Sequence, residues 1–174
     1  MTWSDHYRRY ARYNRWMNQQ LLDATQTLPG DVVAAPTGLF FGSLLGSWNH
    51  LLVADLIWLR RLSDIFPILD ELRRLPQPEA LNQIIYHDLN NLRPVREQID
   101  DLIIRWCDLL RADDASDIVE YINSRGEEIV RPLYLILQHL FNHQTHHRGQ
   151  ITAGLSAQGV DYGITDLLYM PDAI

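Results

Sequence analysis

Four of the seven histidines in this 174-residue chain fall between residues 139 and 147, where an even distribution would place fewer than one. Within HLFNHQTHH, His143 and His147 are four apart, and on a helix such positions share a face at about 5–6 Å. Two imidazoles so placed can chelate one divalent metal ion. His139 continues the same line one turn earlier. The residues between the pair are Gln144, Thr145 and His146. The glutamate that serves as general base in a metalloprotease helix is therefore missing, and protease chemistry is rejected.

A mononuclear site needs a third ligand, which in a bundle comes from a facing helix. The remaining histidines are His6, His50 and His87. His50 shares its helical face with Ser43, Ser47, Ala54 and Ile57, whose small groups leave room for a ligand or a metal. Its other reading is a hydrogen-bonded, half-buried histidine. His87, beside Asp88, is the reserve third ligand. His6, between aromatic positions and Arg8, reads as a surface or bundle-end residue.

Helices must position these side chains. From Trp3 the series Trp3, Tyr7, Tyr10, Asn14, Met17, Leu21, Ala24 and Leu28 steps by four and three, predicting a first helix stopped by Pro29 and Gly30. Residues 29–42 read as a loop. A second helix starts near Ser43, runs through SLLGSWNHLLVADLIWLRRLSD and ends before Pro67. Residues 69–79, with Pro76 and Pro78, read as a crossing connection. A third helix runs from Leu81 through Ile85, Asp88, Leu92, Val95, Ile99, Leu102 and Trp106 to Leu109. Pro94 should kink or break it, because its ring removes a backbone donor and clashes with the preceding turn.

DIVEYINSRGEEIVRP alternates apolar and polar residues on either side of a turn at Asn123 to Gly126, predicting a short hairpin. The fourth helix follows Pro132 and ends at Gly159. The tail from Asp161 to Ile174 reads as a loosely structured extension. The expected fold is all-α: an antiparallel four-helix bundle with a short β-hairpin before the last helix, one domain over residues 1–174.

Composition narrows the partners. The net charge of −7 comes from 22 acidic and 15 basic residues, every basic one an arginine. A protein that tracks a phosphate backbone carries a basic excess, so no nucleic acid is expected. No run of about 18 apolar residues suggests a membrane span. The single cysteine, Cys107, cannot form an internal disulfide, and the amphipathic opening MTWSDHYRRYARYNRW with Asp5 is a poor signal peptide. The expected location is the cytoplasm. Beside Trp106 in an apolar stretch, Cys107 reads as a buried small residue and not a nucleophile. Asp55 and the aromatics Trp48 to Trp58 read as helix-end charge and bundle packing.

The segments YARYNRWMNQQLLDA, GSLLGSWNHLLVADLIWLRRL and HLFNHQTHHRGQITAGLSAQG, in this order over nearly the whole length, resemble the DinB/YfiT-like family of metal-dependent four-helix-bundle proteins. The last segment is the most specific. The resemblance implies one divalent metal ion, zinc or nickel, held by His50, His143 and His147. His146 matches a histidine that is usually not a ligand, and His139 a position one turn from the site. Three histidines leave coordination positions open, as in a catalytic centre and unlike a structural one closed by four protein ligands.

For function, the resemblance implies an enzyme that activates a low-molecular-weight thiol and transfers it to an electrophilic small molecule. It also implies a homodimer. The alternative is a non-catalytic, divalent-metal-binding stress-response protein, favoured if His139 supplies a fourth ligand. A third reading is an interaction bundle with incidental histidines. Arg148 follows the ligands as in the family and is expected to bind a carboxylate of the thiol or substrate through its planar fork, or else to pair with a neighbouring helix. Asn14, the one polar member of the first stripe, either hydrogen-bonds within the bundle or faces the pocket. No carboxylate is placed as a general base, so no protein residue is nominated as catalytic.

Overall fold

The computed structural model describes residues 2–123 and 125–171. Four long helices form the bundle: α1 (Trp3–Gln26), α3 (Leu44–Leu62), α4 (Leu89–Leu109) and α5 (Leu133–Ala157), with a short α2 (Gly30–Ala34) between the first two. Strands β1 (Ile118–Ile122) and β2 (Glu128–Pro132) pair antiparallel just before α5. This is the expected all-α fold with its hairpin. The expected turn includes Ser124, which lies outside the described residues, as do residues 172–174 of the expected tail. Among the described residues no helix is long and apolar enough to cross a membrane.

Local chemistry sets the ends of these helices. Thr2 accepts the Asp5 backbone N–H while the Asp5 carboxylate accepts that of Thr2, a reciprocal cap that starts α1. Ser43 caps α3 by accepting the Gly46 N–H at 2.9 Å. After α5, Gly159 takes a positive φ of 71°. Its own N–H and that of Val160 then donate back to Ser156 and Leu155, closing the helix end.

Three sequence expectations are corrected. The third long helix begins at Leu89 and not Leu81, because Asp88 is its cap, accepting the Asn91 N–H at 2.9 Å. Asp88 had the spacing of a stripe residue, but its side chain turns back on the helix end. Of the kink or break expected at Pro94, the break is absent: the helix runs through that residue. The carbonyl deprived of a donor there belongs to exposed Asn90, where water can satisfy it. The connections are more ordered than loops: α2 lies within 29–42, and 3₁₀ turns occupy Pro67–Arg74 and Leu167–Tyr169.

The apolar core falls into two clusters. One gathers Leu52, Leu56, Leu59, Ile99, Trp106 and Leu137, and the other Leu21, Leu22, Trp48, Leu51, Ile151 and Leu155. Between them along the bundle lies a buried polar layer with members from all four long helices: Asn14 and Asn18, Asp55, Arg96 and Asp100, and Arg148. Asp55 is thus not a helix-end charge. Its Oδ2 lies 2.6 Å from an Arg96 nitrogen, an ion pair off the line of a well-aligned hydrogen bond, and Arg96 also donates to Asp100 at 2.9 Å.

Candidate metal centre

His50 sits midway along α3, and His143 and His147 lie one turn apart on α5, which packs against it. The structure brings these three together. His50 Nε2 lies 3.2 Å from Nε2 of His143 and 3.2 Å from Nε2 of His147. Among the described residues they are the group of three or more potential ligands that could hold a metal ion. Nitrogens about 2.0–2.1 Å from one tetrahedral ion stand roughly 3.3 Å apart, which the two separations from His50 match.

The outer nitrogens decide what the inner ones offer. His50 Nδ1 is 2.8 Å from the Leu81 carbonyl and must donate to it. His147 Nδ1 is 2.9 Å from Gln150 Oε1, with the same consequence. Each neutral ring therefore presents a lone pair at Nε2, aimed at the shared centre. Partners of this kind on the far nitrogen are what orient histidine ligands in metal sites. Burial lowers the pKa of all three imidazoles, and that of His143 to about 3, with His147 and His50 reinforcing the effect. All three are unprotonated at neutral pH, as ligands must be.

Several residues that build this arrangement carried no recognisable signal. The Leu81 carbonyl is delivered by a segment that was expected to be helical. Asn49 holds that segment: its amide oxygen accepts the N–H groups of Ile85 and Tyr86, and its nitrogen donates to the Tyr86 carbonyl. A buried asparagine beside a histidine in an apolar helix was the only available clue. Phe41 stacks on the His50 ring at 3.7 Å between centroids. It is fixed by Gly46, where an added Cβ would stand 2.0 Å from the Phe41 carbonyl oxygen.

The other candidates are placed elsewhere. His139 is exposed, stacks near Trp58 with ring centroids 4.9 Å apart, and lines the cavity outside the three-histidine group. His146 is exposed and meets the Gln150 amide. His6 packs on Tyr7 and Tyr10, and exposed His87 borders a separate depression at the start of α4. Of the two readings of Arg148, a fork for a ligand carboxylate or a partner for a neighbouring helix, the side chain takes the second: it turns into the bundle and donates to the side-chain oxygens of Asn14 and Asn18. Asn14 is accordingly bonded within the polar layer, its nitrogen donating to Asp100 at 3.1 Å. Cys107 is fully buried, and burial raises its thiol pKa well above the usual range, against a nucleophilic role.

Beside His50 and His143 a cavity of about 620 Å³ opens outward, walled by Ala54, Ile57, Trp58, Arg61 and Tyr121 among others. That volume suits a small-molecule ligand. The histidine group is compatible with metal binding, and two of its members, His50 and His143, line this cavity.

A protein-family model described as the DinB family matches residues 3–173. The chain is also similar to Protein DinB of Bacillus subtilis (strain 168), at 24% identity over 167 residues, covering 87% of this chain and 88% of that protein. No solved structure matches. With the family model spanning almost the whole chain over a helical bundle that gathers the expected histidines, this protein belongs to the DinB family.

Proposed function

We propose that the chain is a metal-dependent enzyme in which His50, His143 and His147 hold one divalent ion, zinc or nickel, and a low-molecular-weight thiol is transferred to an electrophilic small molecule. One observation carries this reading: the Nε2 atoms of three histidines meet at one point, and His50 and His147 are committed to offering lone pairs there by hydrogen bonds at Nδ1. Without a cation, the unprotonated Nε2 atoms of His50 and His147 face each other at 3.2 Å, an unfavourable contact that a bound cation would relieve. A bound divalent ion would supply Lewis acidity, lowering the pKa of a thiol that meets it so that the thiolate forms at neutral pH.

The chain's own residues supply position and exclusion. Phe41 covers one face of His50 and shields that side from water. Ala54 and Ile57 continue the helical face of His50 as an apolar wall against which an electrophile can lie. In the reaction the thiol sulfur bonds to the electrophilic carbon as the bond to the leaving group breaks, and the thiol proton departs with that group. Because His139 stands outside the ligand group, the geometry favours an open centre over a sequestration site closed by a fourth histidine.

The test begins with metal content by mass spectrometry on untagged protein, alongside His50→Ala, His143→Ala and His147→Ala. About one ion per chain, lost in all three variants, is expected. The loaded protein is then offered cysteine, glutathione or bacillithiol with monochlorobimane as electrophile, and thioether formation above the metal-free rate is expected. No metal uptake after reconstitution with zinc or nickel would sink the mechanism. Uptake without turnover for any pair would leave the sequestration reading in its place.

A further inference from the structure

The cavity is lined by a cation, Arg61, that has no counter-charge among the described residues. Arg61 lies eleven residues after His50 on α3, about three turns on, and so returns to the same face about 16 Å along the axis. Its guanidinium carbon sits 4.7 Å from the Trp58 ring centroid and 4.5 Å from that of Tyr121. One nitrogen donates to the Ile122 carbonyl at 3.2 Å. Among the described residues no carboxylate lies within ion-pair distance of it, although Arg8, Arg12, Arg15, Arg73, Arg93, Arg96, Arg105 and Arg111 all have one.

Adjacent Arg60 shows what a structural arginine looks like here. Its guanidinium donates to the carbonyls of Leu72, Leu75 and Pro76 and pins the connection that forms the opposite wall. Arg61 is held as firmly, by two aromatic faces and one carbonyl, but among the described residues most of its donors have no hydrogen-bond partner. A half-buried cation without an anion is costly, and cation–π contact offsets only part of that cost. The cavity's one acidic side chain, Glu79, is exposed on the rim and makes no ion pair with Arg61.

We infer that Arg61 is the anion-recognition residue of this pocket, and that the small molecule bound there carries a carboxylate, phosphate or sulfonate at the end remote from the three histidines. The planar fork, packed against both Trp58 and Tyr121, is organised in advance for two parallel hydrogen bonds to such a group. Helical side chains lean toward the helix N-terminus, so the guanidinium reaches back toward the histidines. An apolar stem spanning on the order of 10 Å along Ala54 and Ile57 would join the anion to the reacting end. This inference rests on the cavity being the substrate site of the proposed enzyme, but it does not require the metal.

The test compares two probes of one shape, 4-phenylbutyrate and uncharged 4-phenylbutan-1-ol. Each is titrated against metal-free and zinc-treated protein while the arginine Nε–H resonances are followed by NMR. The carboxylate should bind about tenfold or more tightly than the alcohol in both forms and move the Arg61 signal. Arg61→Gln should abolish the preference, and Arg61→Lys should keep part of it, which separates lost charge from lost packing. Equal binding of the two probes, no carboxylate binding in the millimolar range, or a preference that survives Arg61→Gln overturns the inference. A preference that appears only with zinc assigns the anion to the metal and overturns it too. Protein that takes up no zinc yet keeps the Arg61-dependent preference would refute the metal reading alone.

Discussion

On α3, His50 and Asp55 are five residues apart, and on α5 His147 and Arg148 are neighbours, yet the two pairs serve buried clusters built on opposite rules. Around Asp55 and Arg148 the charges cancel: two carboxylates meet two guanidinium groups, and Asn14 and Asn18 bridge them. Around His50 and His147 the groups are alike and neutral, their lone pairs converge, and a cavity lies beside them. A cluster whose opposite charges offset one another within the bundle is a structural element, whereas one of like neutral groups beside a cavity is built for something that arrives.

The contrast can be broken most severely at Arg96. Arg96→Met leaves Asp55 and Asp100 as buried, uncompensated carboxylates and should cost about 3–5 kcal/mol in urea unfolding. Loss of less than about 1 kcal/mol would show that the layer is not a structural unit. On the histidine side, Gln150→Leu removes the partner of His147 Nδ1 and should weaken zinc affinity about 10–100-fold in a competition titration with little change in stability. Unchanged affinity would mean that Gln150 does not orient the ring.

A smaller effect concerns pH. Burial pushes Asp100 up to about 6 from 3.8, with Arg96 opposing the shift and Asp55 reinforcing it. Its folded form therefore holds the proton more tightly than the unfolded chain does. The associated stability is complete below about pH 4 and declines as pH rises through about 6. Asp100→Asn should flatten that portion of the stability profile, and an unaltered profile would place the titration elsewhere. Smallest of all is the change expected for metal-free His143→Ala. Its unfolding free energy should stay within about 1 kcal/mol of the parent, because a neutral ring at a cavity edge has few partners to lose.

Spacing along one helix made part of the site readable. His143 and His147 are linked by helical periodicity, so local sequence was enough to pair them. His50 is 93 residues from His143, and periodicity alone kept His87 in reserve behind it; the family resemblance singles out His50. The pairing of polar residues across helices was not readable. Asp55 resembled a helix-end charge and Arg148 a substrate binder because a lone charged side chain looks the same whether its partner is water, a ligand or another helix. Asp88 was misjudged for a related reason: a cap and a stripe residue can occupy the same periodic position. The carbonyl of Leu81 could not be found at all, since every residue has one and only the tertiary path of the chain gives it a task.

The polar layer also acts as a register lock. Apolar ridges tolerate sliding, and a helix displaced by one turn, about 5.4 Å, can often find new grooves of similar quality. Here such a slip in any of the four long helices would pull a charged or amide group out of the layer and strand its partners in the core. Sliding is thus converted from a soft motion into a forbidden one. Since Asp55 lies little more than one turn from His50, and Arg148 directly follows His147, the alignment enforced by these charges is passed on to the imidazoles. The loops that shape the cavity can then vary without disturbing the point on which the three nitrogens converge.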